Sequence, residues 1–234
     1  MFGSTAPTGS LAIRRLGPGG SFTATPAREL PFASILRHAL PHPFLSGEVF
    51  VYRLRNVPNI IRGLWRIAAA RVLKISHFYG TLSIVKIDRF GNALDYGIVS
   101  LRVVTTAGVN FIVDAFQNTT EVENFKFHGI GTGTGNEASG DTALGTELTT
   151  EYATDNTRPT GSQTEGASAN IYRTVATITL DSGTPAITEH GIFTQAATGG
   201  GTLLDRSKFS AINLTGANGD GIQATYDFTV NAGG

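Results

Sequence analysis

The chain has 234 residues, enough for one large or two small domains, and is 41% hydrophobic but only 15% charged, well under the usual quarter. It contains no cysteine, which excludes disulfides, thiolate metal sites and cysteine nucleophiles and leaves the compartment open. The formal net charge of zero conceals a split: residues 1–80 hold ten Lys/Arg against Glu29 and Glu48, a net of +8, and residues 81–234 hold eight against sixteen acidic residues, a net of −8.

The split places a boundary near Gly80 and predicts two units, a basic arm over 1–80 and a β-rich module over 82–234. With 29 glycines and many Thr and Ser, the composition predicts short strands joined by turns and not long charged helices. No run of 18 uncharged apolar residues occurs, so no membrane span is expected. The N-terminus lacks the pattern of a secretory signal.

Residues 1–31 are rich in Gly, Pro, Ser and Thr without periodicity and predict a disordered arm. Over 57–75, Ile60, Ile61, Leu64, Trp65, Ala68 and Val72 fall at helical spacing with Arg62, Arg66 and Arg71 between them, and Pro58 suits a first helical turn. The N-terminal segment is therefore disordered or partly helical. Three readings of it stay open. It is a basic amphipathic segment for a membrane or acidic surface, or a basic arm touching nucleic acid, or a translation product from an upstream start that is not native protein. The last draws on nine Arg against one Lys and on the near-absence of acidic residues.

Residues 82–88 and 96–104 predict strands around a turn at Phe90-Gly91-Asn92. A short helix is predicted over 106–117, capped by Thr105 or Thr106, with Val109, Ile112, Val113 and Phe116 on one face and Asn118-Thr119-Thr120 ending it. Phe125, Phe127 and Ile130 alternate with Lys126 and His128. The polar stretch 151–170 predicts a long exposed loop. A strand follows at 171–180, then a hairpin of 186–195 and 202–210 around Thr198–Gly201. Asn218-Gly219-Asp220-Gly221 predicts a turn. In the last strand Ile222, Ala224, Tyr226, Phe228 and Val230 alternate with polar residues, the period of a strand with one buried face. The fold class is mainly β: an antiparallel β-sandwich or jelly-roll-like module with one short helix.

Candidate chemistry is thin. Gly131, Gly133 and Gly135 suggest a phosphate loop, but Glu137 and Asp141 follow and no basic residue is near in sequence. Glu189-His190 suggests half of an acid–base set with Asp205 or Asp181, without a nucleophile elbow. Glu189 with Asp205 is the pair a glycan hydrolase would use. His128 is the one other histidine beyond residue 80, so a metal site within one chain lacks ligands, although one His from each of three chains could meet on a threefold axis. Asn218, Asp220 and Asp227 match no Ca²⁺ loop. Tyr152, Arg158 and Tyr172 mark the polar loop as a contact surface for a receptor or glycan, while Trp65 lies in the basic segment.

Certain segments carry a resemblance in their order. They are Ile-Gly-Thr-Gly-Thr (130–134), Asp-Thr-Ala-Leu-Gly-Thr-Glu-Leu (141–148), Arg173 before Ala-Thr-Ile-Thr (176–179), Ala-Ile-Thr-Glu-His-Gly-Ile-Phe (186–193), and Gly-Gly-Thr-Leu-Leu-Asp-Arg (200–206) with Phe209-Ser210. With the helical stretch 106–116 and the closing strand, they resemble a β-rich structural module of tailed-bacteriophage virion proteins. The match spans about 82–234 and rests on turn and strand motifs. It implies a non-enzymatic subunit of the head (decoration or cement) or tail, located in the virion. It implies no catalytic residues, cofactor or metal. The partners implied are other virion subunits and copies of itself, a trimer being the guess. Nucleic acid enters only through the basic arm. Glu189, His190 and Arg206 are the expected register or interface residues, with Glu189 and Arg206 meeting across the hairpin. The rival functions are a receptor- or glycan-binding module of a tail fibre and a β-sandwich glycan hydrolase.

Overall fold

The computed structural model describes residues 32–73, 77–101 and 103–231. The arm expected over 1–31 lies outside the described residues. Two helices, α1 (Phe32–Ala39) and α2 (Gly47–Val72), precede strands β1 (His77–Ile87), β2 (Ala93–Leu101) and β3 (Val103–Val104). Helix α3 (Thr106–Phe116), a 3₁₀ turn (Val122–Asn124) and β4 (Phe127–Gly131) follow. After a long loop come β5 (Thr164–Glu165), β6 (Ile171–Thr179), β7 (Ala186–Phe193), β8 (Leu203–Asn213) and β9 (Gly221–Asn231).

The strands form two antiparallel sheets, ordered β2-β1-β9-β6-β5 and β3-β8-β7-β4, the mainly β, sandwich-like class expected. The closing strand β9 is central, paired from Gly221 to Asn231 with β1 on one side and from Gly221 to Thr229 with β6 on the other. Its two-residue period puts Ile222, Ala224, Tyr226 and Phe228 inward. They join one side of a core in which Leu82, Ile84, Val99 and Ile178 of the first sheet meet Ile130, Ile187, Phe209 and Ile212 of the second. Burial of such side chains is the main term holding two sheets face to face.

Several expectations need correction. The boundary near Gly80 falls inside β1, whose His77–Gly80 stretch pairs with β9. Helix α2 has 26 residues and begins ten residues before the predicted helix, so Pro58 sits mid-helix. Pro58 faces outward, where water can serve the carbonyl its ring leaves unpaired. The docked face of α2 is Val49, Tyr52, Arg53, Asn56, Ile60, Gly63 and Ile67, a spacing of three and four. Of the predicted face, Ile61, Trp65 and Val72 are exposed.

This helix closes the sandwich over β2 and β8. Asn56 donates to the Val99 carbonyl at 2.7 Å and accepts from the Ser210 amide at 2.8 Å, bridging the two sheets. Arg53 donates to the carbonyls of Tyr96, Arg37 and Leu40, so one side chain fixes α1, α2 and β2. Gly97 has φ of 72° and a Cβ there would strike the Arg53 guanidinium. Only glycine meets both demands.

Thr105 caps α3 as expected, accepting from the Gly108 amide at 2.9 Å, and its hydroxyl also donates to the Leu203 carbonyl of β8. The packed face differs from the prediction. Phe111 and Ile112 join Phe125, Leu204 and Tyr226, while Val113 and Phe116 point to solvent.

Candidate functional site

The hairpin β7–β8 places Glu189 opposite Lys208 and Gly191 opposite Arg206. Glu189 and Arg206 are therefore diagonal neighbours on one face, within reach of a long side chain. Arg206 Nη2 lies 2.6 Å and Nε 2.9 Å from Glu189 Oε2. Glu189 is fully buried, and its carboxylate also accepts from the amides of Gly133 (2.9 Å), Gly145 (2.9 Å) and Thr146 (2.7 Å). Arg206 extends to Asp141 at 2.9 Å and to the Gly135 carbonyl. Burial works against the Arg206 charge, but the hydrogen bonds and attraction of Asp141 and Glu189 outweigh it and hold its pKa above the ordinary value.

This arrangement explains the glycine run. A Cβ at Gly131 or Gly133 would run into the Glu189 carboxylate. These glycines admit an acid held by the protein and not a phosphate. The fold also brings basic residues to the loop that are distant in sequence. Arg62 pairs with Glu137 at 2.8 Å, with Arg66 at 3.8 Å, and Arg206 pairs with Asp141. Each of these cations is engaged by the chain's own acids.

A second buried pair pins the polar stretch. Arg158 is 1% exposed. It meets Glu147 through Nε and Nη2, donates to the Gln195 and Gly200 carbonyls, and lies 3.5 Å from the centroid of the Phe193 ring. Tyr152 is equally buried, its hydroxyl bonded to the amide and carbonyl of Ile130. Tyr172 is half-buried and donates to the Phe125 carbonyl at 2.7 Å. The stretch 151–170 is largely loop with many exposed residues, as expected, but these buried side chains pin it. Neither Tyr152 nor Arg158 offers a contact surface, and residues 146–148 and 159–161 cover the free edge of β4 through backbone bonds.

The interface half of the reading for Glu189, His190 and Arg206 also changes, since all three are buried within the chain. His190 Nε2 lies 3.0 Å from His128 Nδ1, and His128 Nε2 lies 2.9 Å from the Thr174 hydroxyl. Strand β4 therefore has no wet face at His128, and His190 cannot reach a threefold axis. No cluster of three or more His, Asp or Glu suited to a metal occurs among the described residues. Asp220 is tied to the Thr215 amide and Asp227 to Arg173, at 2.6 and 2.7 Å, so both carboxylates are already engaged within the chain. No helix among the described residues is long and apolar enough to cross a membrane.

Comparison with protein-family models, curated proteins and solved structures returns no match.

The Glu147–Arg158 pair and the bridging Arg53 and Asn56 escape sequence reasoning. For Arg158 a signal existed: it is the one basic residue between 127 and 172, among six acidic ones, and a lone cation in such a run is a candidate for internal pairing. For Arg53 and Asn56 nothing local marks them, because the sheet partners they bridge to lie 43 or more positions away on β2 and β8.

Proposed function

We propose that this chain is a structural subunit of a tailed-bacteriophage virion, in the head or the tail, acting without catalysis through contacts with other subunits. The observation that carries the reading is convergence. The segments 130–134, 141–148, 186–193 and 200–206 resemble a virion module, and they meet around Glu189 and Arg206. Their shared residues do architectural work, clamping two loops onto one hairpin. Sealed carboxylates and paired cations serve rigidity, which a lattice subunit needs. The surface supports the same reading, with large apolar side chains of α2 and α3 left to solvent where a subunit contact would cover them.

The test is mass spectrometry of purified particles, followed by immunogold labelling. Stoichiometric presence with label on the head or the tail is the expected result. Absence of the chain from particles that assemble normally removes the proposal.

A further inference from the structure

Helix α2 has a second apolar face. At 100° per residue, Phe50, Leu54, Ile61, Trp65 and Val72 fall within an arc of about 60°, away from the docked face. All five are exposed, Trp65 at 73% and Val72 at 81%. The row runs for about 33 Å at 1.5 Å per residue. Arg55 and Arg66 border it on one side with exposed side chains, Arg66 sharing its charge with Glu137 at 3.8 Å. Leaving such an apolar row in water is costly.

The chain carries a second surface of opposite charge. Where α3 ends, Val113, Phe116 (85% exposed) and Val122 stand in solvent. Asp114, Glu121 and Glu123 surround them, all exposed, and none has a cationic partner among the described residues. The last turn of α3 has no basic residue, so the negative end of the helix dipole adds to the three carboxylates. An acidic apolar patch and a basic apolar row therefore coexist on one chain without covering each other.

We infer that the basic apolar face of α2 in one copy docks on the acidic apolar patch at the α3 terminus of a second copy. Phe116 of one copy packs beside Ile61 and Trp65 of the next, and Glu121 and Glu123 face Arg55 and Arg66. The contact joins two different surfaces, so it is head-to-tail. Repetition closes a ring or extends a filament according to the rotation per step. The inference deepens the reading of this chain as a virion subunit and rests on it for its purpose.

The experiment uses the full chain and two surface variants. One carries Ile61→Asp and Trp65→Asp, the other Phe116→Asp and Val122→Lys. Light scattering after size exclusion is expected to give multiples of 24.6 kDa for the parent chain. Each variant alone should be monomeric, its association weakened about tenfold or more, as loss of an aromatic anchor gives. Mixed one to one, the variants should form a heterodimer and stop there, because each retains one intact surface. Trp65 is the single tryptophan, so in the parent chain its emission should shift red on dilution. Circular dichroism checks that the variants keep the parent fold. A parent chain that stays monomeric at 100 μM, or variants that fail to pair when mixed, overturns the inference. So does a monomeric parent that binds anionic vesicles through α2, which would assign the row to a lipid surface. Particle mass spectrometry separates the two proposals. A chain found in virions but monomeric in solution sinks this contact alone, and one that assembles but is absent from virions sinks the virion role alone.

Discussion

Glu189 is buried where water does not reach, and three amides and one guanidinium satisfy its carboxyl oxygens. Such a group is stabilising only while every partner is present, because the remaining partners cannot return to water when one leaves. Glu189→Gln removes the negative charge facing Arg206 and replaces an acceptor oxygen by a donor among donors. The expected loss is about 3–5 kcal/mol, read as a lower urea midpoint with an unchanged slope. Asp227 provides the comparison. It pairs with Arg173 across β6 and β9 with side chains 14% and 10% exposed, less sealed than Glu189 and with no amide cradle. Asp227→Asn should therefore cost less, about 1.5–3 kcal/mol, the worth of hydrogen bonds to a charged group. Equal losses for the two variants would mean that the amide cradle around Glu189 adds nothing.

At the scale of elements, the glycine loop owes its composition to that same carboxylate. Gly133→Ala forces a methyl group against Glu189, while nothing stands within 4 Å of a Cβ at Gly135. The first substitution should cost about 1–3 kcal/mol and the second about zero or slightly less, because alanine restricts the unfolded chain. Differential scanning calorimetry of the pair checks this, and similar melting temperatures would refute the close-approach argument. The elements themselves were unequally legible. Strand β9 follows a two-residue apolar period that needs no tertiary knowledge, and Thr105 announces α3 as a cap does. Helix α2 was legible as a helix but not in its orientation. Its docked stripe includes Arg53, Asn56 and Gly63, while the more apolar row of Phe50, Leu54, Ile61 and Trp65 faces out. Counting apolar residues picks the wrong face when polar side chains bond to a distant backbone. The Glu189 site was half legible: two residues of one hairpin could be paired from spacing, but the amides of 133, 145 and 146 could not.

For the whole molecule, the charge split that suggested two unrelated pieces describes one packing unit. The basic helix and the acidic loop meet at Arg62 and Glu137, and Arg53 and Asn56 enter the backbone of the sheets. The same closure buries tyrosines. Burial raises the pKa of Tyr52, with Tyr96 adding to it, and burial and the bond to Glu48 raise that of Tyr96. Tyr152 is raised by burial first. In the unfolded chain all three ionise near pH 10, so above that pH the folded state binds more protons and stability falls. Stability is whole below about pH 10 and declines above it with a slope approaching three protons, about 4 kcal/mol per pH unit. Phenolate absorbance should appear together with loss of circular dichroism, and phenolate formation in a chain that stays folded would contradict the burial. The sharpest question at this scale is whether 32–73 belongs to the folding unit. A chain beginning at His77 keeps every strand and α3 but loses five buried apolar side chains, Ala39, Val49, Tyr52, Ile60 and Ile67. It also strands the Val99 carbonyl and the Ser210 amide and uncovers Ile98 and Leu101. At about 1.5–3 kcal/mol for each large side chain, the loss is comparable to the whole stability of a typical domain, about 5–15 kcal/mol. The shortened chain should therefore keep strand content in the far ultraviolet, lose its near-ultraviolet signal and bind a hydrophobic dye. A chain starting at Pro31 should unfold cooperatively. If the chain from His77 unfolds cooperatively within about 1 kcal/mol of that one, well inside the loss argued from burial, α2 is an attachment to the sandwich and not part of its core.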